Sequence, residues 1–185
     1  MARPLPTADE AFAGGEAAIF NAESLLESAA ISAERGNFGV AVALGILALE
    51  EAVKARALFG FLLARRTGAP FGLSDDTFRD VLFRKHALRH VLAFHQGMSN
   101  ALHSALLGVL PHDEAGRQAI KRDLELARWL AEADRAKQRG LYVDHRNGKW
   151  AQPKDVRPEE WEATLTAVRP FVEETRRQHG VARAL

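Results

Sequence analysis

The stretch FGVAVALGILALEEAVKARALFGFLLARR, residues 38–66, decides the fold. Val40, Leu44, Leu47, Leu58, Phe61 and Leu62 recur at helical spacing along one side of it. Thr67-Gly68-Ala69-Pro70, which follows, is a helix stop. Its most apolar part, Phe38 to Leu49, ends at two glutamates and is too short to cross a bilayer. At about 100° per residue, Glu51 falls within about 20° of Val40 and Leu58, Lys54 within about 40°, and Glu50 at the stripe's edge. Burying such charges unpaired costs several kcal/mol. They are therefore expected to pair with one another or to meet partners from a neighbouring helix. The plainer alternative is a Glu50–Lys54 pair at i,i+4 on a partly exposed face, contributing a few tenths of a kcal/mol.

Outward from this segment the same reading applies. Residues 1–7, with two prolines, read as a flexible arm. Phe12, Ile19, Leu26 and Ala30 stripe a first helix from Ala8 to Arg35, stopped at Gly36-Asn37. A third helix, capped by Ser74 or Asp75, carries Leu82, Leu88, Val91, Leu92, Met98, Leu102 and Leu106, bends at Gly97 and finishes near Pro111. A fourth runs from Asp113 to Gly140 on Ile120, Leu124, Ala127 and Ala131. Leu141 to His145 and Lys149-Trp150 flank Arg146-Asn147-Gly148, a two-residue hairpin signal. A last helix, residues 158–179, starts on Pro158, carries Trp161, Leu165, Val168 and Val172, kinks at Pro170 and stops at Gly180. These elements predict an all-α fold: a compact antiparallel bundle of five helices, with a short hairpin before the last, in one domain over residues 8–185.

Composition supports that class. The 185 residues are 47% hydrophobic and 26% charged, enough to bury about two thirds of the unfolded surface in one core. There is no cysteine, which removes disulfides, thiolate nucleophiles and cysteine-held metals. The start, Met-Ala-Arg-Pro-Leu-Pro, has no apolar leader, so a soluble, cytoplasmic protein without membrane partners is expected. Lys+Arg is 25 against 24 Asp+Glu, a balance of +1, so any nucleic-acid role must rest on a local patch.

That patch lies on the third helix, where Arg79, Arg84, Lys85, His86, Arg89, His90 and His95 face one acid, Asp80. On a straight helix Arg84 and His95 fall on the apolar face, and Arg79, His86 and His90 on the opposite one. Imidazole and guanidinium together suit metal-independent RNA cleavage: the first moves a 2′-hydroxyl proton, the second holds the phosphate as charge builds. Arg79, Arg84, His86 and His90 are the catalytic candidates. The alternative is a solvated basic face with one satisfied core histidine. No metal site is expected, because the His86/His90 pair lacks an accompanying Glu-x-x-His and Lys54 would repel a cation. Phosphate-binding glycine loops and a Gly-x-Ser-x-Gly elbow are missing, and no small-molecule cofactor is expected. Trp129, roughly opposite the fourth helix's stripe, is a candidate interface residue; it could equally sit under the last helix.

The residues Ala48-Leu49-Glu50-Glu51-x-x-Lys54, behind a Gly36-Asn37-Phe38 turn, resemble the second-helix signature of AbiV-type abortive infection proteins. His86 with Arg89 behind Phe83 resembles the family's aromatic and His-x-x-basic element. Arg135-x-Lys137-Gln138, leading to Gly140-Leu141-Tyr142-Val143-Asp144, resembles its segment after helix four. The likeness covers residues 17–153, with Ala52-Val53 and Arg89 departing from the usual pattern. It implies phage defence and kinship with the HEPN superfamily of helical bundles, many of them dimeric RNases with an Arg-x(4–6)-His motif. That motif occurs four times here, as Arg79/His86, Arg84/His90, Arg89/His95 and Arg139/His145, and with 19 arginines it selects none of them. Two functions follow as expectations: an RNA-directed toxin or nuclease acting as a homodimer, or a non-catalytic protein that senses a phage protein or blocks translation. Under either, Glu50, Glu51, Lys54, Arg89, Arg135, Tyr142 and Asp144 are expected to form one polar network.

Overall fold

The computed structural model describes residues 4–146 and 148–184, with Arg146 and Lys149 as backbone only. The first three residues of the expected arm, Asn147 of the expected turn and the terminal Leu185 lie outside the described residues. Seven α-helices and a two-stranded sheet follow in the order α1 (Ala8–Glu34), α2 (Phe38–Thr67), α3 (Asp75–Phe83), α4 (His86–Gly97), α5 (Asn100–Leu106), α6 (Glu114–Leu141), β1 (Asp144–Arg146), β2 (Lys149–Ala151) and α7 (Pro158–Ala184). A single 3-10 turn, Pro153–Asp155, precedes α7. The expected all-α class holds, but among the described residues there are seven helices rather than five.

Local chemistry explains the boundaries. Thr7 and Glu10 cap each other at the start of α1, Oγ1 accepting from the Glu10 amide and Oε2 from the Thr7 amide. Gly68, at φ 70°, ends α2 in the left-handed conformation that favours glycine. The expected third helix is three helices because the chain leaves helical geometry twice. At Arg84 and Lys85, ψ passes from −44° to 99°. The last carbonyls of α3 are then taken by a side chain from the next helix: Arg89 Nε donates to Val81 O at 2.8 Å and Nη2 to Leu82 O at 3.3 Å. At the second break, Ser99 Oγ accepts from the Leu102 amide, while Asp123 of α6 accepts from Ser99 N at 2.9 Å and Oγ at 2.6 Å. An unbroken apolar period ran through side-chain caps that only the folded neighbours reveal.

α2 is the axis of the molecule, packed by α1, α4, α6 and α7. Eighteen of its thirty residues are buried, so apolar surface lies all round it. Of the expected core-facing stripe, Leu58, Phe61 and Leu62 are buried, whereas Val40, Leu44 and Leu47, with Glu51 and Lys54 beside them, are only half-buried. α6 also turns a different face inward. Asp123, Leu130, Ala133, Lys137 and Gly140 are buried, whereas Leu124 and Ala131 of the expected stripe are exposed. Gly140 permits a tight crossing there: a Cβ on it would lie 2.2 Å from the Gly39 carbonyl oxygen. α7 continues through Gly180 to Ala184, because Ala182 is buried beyond the expected stop. The hairpin forms, pairing His145 with Trp150 in antiparallel register. Trp129, the candidate interface residue, is partly buried and packs against both halves of the core.

Candidate functional site

At the centre of α2, Glu50 is 1% exposed and receives donors from two other helices. Its Oε2 accepts from His86 Nδ1 and from Arg89 Nη1 at 3.3 Å, both on α4. Its Oε1 accepts from Lys137 Nζ on α6 at 2.6 Å. His90 Nε2 stands 3.4 Å from Oε1; this is a long ion-pair approach rather than a formed hydrogen bond, and that nitrogen is otherwise unsatisfied among the described residues. The α3–α4 break makes this convergence possible. It redirects α4, on which His86, Arg89 and His90 share one face at i, i+3 and i+4, while Arg89's remaining nitrogens hold the end of α3.

Burial by itself would raise the Glu50 carboxyl's pKa, but the close approach of His90, the hydrogen bonds from Lys137 and His86 and the charge of Lys137 hold it well below the usual carboxylate range. The carboxylate is thus ionised and can only accept. His86 Nδ1 must therefore carry the proton, and in the neutral ring Nε2 is left as the acceptor. The His86 side chain is 54% exposed, and no hydrogen bond among the described residues engages Nε2. Lys137 also meets Asp134 at 3.2 Å, so it stands between two carboxylates while Arg89 meets one. A general base or acid with a fixed tautomer is what such a carboxylate–imidazole pair can supply.

The other sequence candidates are distributed differently. Glu51 and Lys54 pair with each other, apart from Glu50, on the open side of α2. Arg135 pairs at the surface with Glu132, and Tyr142 and Asp144 are exposed. Arg84 and His95, expected on an apolar face, are both exposed, because that projection assumed one straight helix. Arg79 pairs with Asp76 at 3.1 Å. Asp80 holds Lys85 at 2.7 Å and stands 3.9 Å from Arg84, so the rim beside His86 carries two exposed cations.

Two buried cations escaped the sequence reading. Lys137 lies on the series Leu130, Ala133, Lys137, Gly140, and that i, i+3, i+7, i+10 spacing was the available signal. Arg56, buried on α2, donates to Thr175 Oγ1 at 2.8 Å and to the Gln96 and Phe171 carbonyls at 3.3 Å, and stacks 3.8 Å over the Phe171 ring. Burial lowers its pKa to about 10. It ties α4 and α7 to α2.

Among the described residues no group of three or more His, Cys, Asp or Glu side chains is placed to hold a metal ion. No helix among them is long and apolar enough to cross a membrane. A protein-family model, HEPN_AbiV, described as AbiV, matches residues 10–168. No curated protein and no solved structure matches the chain.

Proposed function

Starting from the fact that the chain belongs to the AbiV family of HEPN proteins, a family of abortive infection in phage defence, we propose that it acts in the cytoplasm on RNA through His86. The observation that carries this reading is the half-exposed imidazole whose Nδ1 is fixed by the buried Glu50. Nε2 takes the proton from a ribose 2′-hydroxyl, whose oxygen attacks the adjacent phosphorus and displaces the 5′-oxygen, leaving a 2′,3′-cyclic phosphate. The displaced oxygen takes a proton from Nε2 of the second His86 of a homodimer, which acts as the acid in its imidazolium form and is left neutral. Arg84 and Lys85, 69% and 63% exposed, hold the phosphate at the rim. Arg89 and His90 are buried and act as positioning residues around Glu50.

A second reading is favoured by a different observation. Arg79 and Arg84 each face an aspartate of α3, at 3.1 Å and 3.9 Å, and most of the polar cluster is buried. A protein that binds a phage component or blocks translation without cleavage would need no more. Incubating pure protein with total RNA in the presence of a chelator separates the two. The nuclease reading expects cleavage that falls by about a hundredfold or more in His86→Ala, with unfolding temperature preserved because His86 is half-exposed. Intact RNA, or cleavage indifferent to His86→Ala, would overturn it in favour of binding, which pull-down from infected cells then examines.

A further inference from the structure

The signature Glu50-Glu51-x-x-Lys54 serves two places, and the clasp at Glu50 uses only the first residue. Glu51 and Lys54 line an open cleft of about 800 Å³ between α1, α2 and the end of α3, within the range of small-ligand sites, roughly 300–1,000 Å³. One wall is the small-residue face of α1, with Gly14 and Ala17; the other is Leu82 with Phe83. The two side chains are only 18% and 22% exposed. A pair this far removed from water returns little for its desolvation. Yet among the described residues Lys54 has one partner, a single Glu51 oxygen. Glu51 Oε2 and two ammonium protons therefore remain available to a ligand.

The cleft sorts ligands by charge and shape. Glu10 also lines it, so two carboxylates face one ammonium and a free anion is disfavoured inside. Walls of small and aromatic residues suit a flat ring, and the edge of that ring must offer an acceptor to Lys54 beside donors to Glu51. Guanine fits: O6 accepts, while N1–H and N2–H donate side by side to one carboxylate. Adenine, cytosine and uracil each offer that carboxylate a single donor position. Phe83 is followed in the chain by Arg84, Lys85 and His86, so a base in the cleft would carry its phosphate toward the basic rim.

We propose that the cleft is a guanine subsite, its carboxylate and ammonium reading the base edge. The proposal deepens the RNA-directed reading and rests on it only for the direction of the phosphate. The test is calorimetric titration of the full chain with GMP, AMP, CMP and UMP in turn. GMP should bind about tenfold tighter than the others or better. Glu51→Gln should erase that preference. Gly14→Leu should weaken GMP by about tenfold or more; a Cβ there meets only Leu58 Cδ1, at 3.4 Å, and the larger side chain grows from the wall of the cleft. Thermal unfolding of both variants checks that they are folded. Equal affinity for the four nucleotides, no binding by the unaltered chain, or a GMP preference surviving Glu51→Gln would overturn the proposal. His86→Ala keeps the preference while losing cleavage. GMP selectivity without cleavage would therefore sink the nuclease reading alone, and cleavage without selectivity would sink this one alone.

Discussion

Replacing Glu50 by glutamine keeps its shape and removes its charge, which isolates what the buried anion contributes. Arg89 and Lys137 are 5% and 6% exposed, and in Glu50→Gln both stay buried, Arg89 without its carboxylate and Lys137 with only the exposed Asp134 at 3.2 Å. Breaking a buried ion pair from one side costs about 3–5 kcal/mol, against a total stability of roughly 5–15 kcal/mol for an ordinary domain. For a chain of this length the unfolding temperature should fall by about 6–20 °C. Removing Lys137's charge as well, in Glu50→Gln/Lys137→Met, should restore part of the loss, with a coupling of about 1–3 kcal/mol. The pH dependence has a definite sign. Glu50 is held below its ordinary value of 4.5 when folded, so the folded state resists protonation and the unfolded state accepts it. The carboxylate's contribution is fully present above the unfolded value and is lost as pH falls below it toward the depressed folded value. Urea unfolding of both proteins from pH 7 down to pH 3 should show a gap that is wide at neutrality and narrows below about pH 4.5. A Glu50→Gln protein within about 1 kcal/mol of the unaltered chain at pH 7, or a gap that widens on acidification, would refute the reasoning.

Other substitutions probe the surrounding structure. Arg56→Lys gives up the planar fork that reaches Thr175 and two carbonyls at once, and should lose about 2 kcal/mol in urea unfolding; an unchanged midpoint would show that those bonds hold nothing. Gly140→Ala drives a methyl against the Gly39 carbonyl and should cost about 1–3 kcal/mol while weakening the Glu50–Lys137 coupling one turn away; a neutral effect would mean that α6 can slide. Asp123→Ala removes the acceptor of both Ser99 donors and should cost about 1–2 kcal/mol, with hydrogen exchange quickening at the α5 amides; uniform exchange would contradict a local tie.

How much of this was legible in the sequence depended on whether a feature is local. Helix-favouring composition, the stops at Gly36 and Gly68 and the hairpin signal before Trp150 are short-range, and each appears in the structure. The signature on α2 and the elements around His86 and Lys137 were sufficient to indicate the family. Facing was not legible. A helix buried on nearly every side has no informative stripe, so the projection put Glu51 inward and Glu50 at the edge, and packing reversed them. The break before His86 was equally hidden. It depends on Arg89 reaching back to carbonyls on α3, a bond between helices that periodicity reads as one. Because of that break, the straight-helix projection put Arg84 inside, where the structure leaves it in solvent. Lys137 entered the sequence reading only as part of the segment Arg135-x-Lys137-Gln138, and its register with Leu130, Ala133 and Gly140 is what marks it as inward-pointing.

Everything proposed for His86 depends on which ring nitrogen carries its proton, and nitrogen-15 NMR of the ring, assigned by comparison with His86→Ala, reports that directly. For the neutral ring the account predicts the proton on Nδ1 and none on Nε2, with an Nδ1 shift that changes in Glu50→Gln. A neutral His86 protonated at Nε2, or one whose ring shifts ignore the loss of the Glu50 charge, would contradict it.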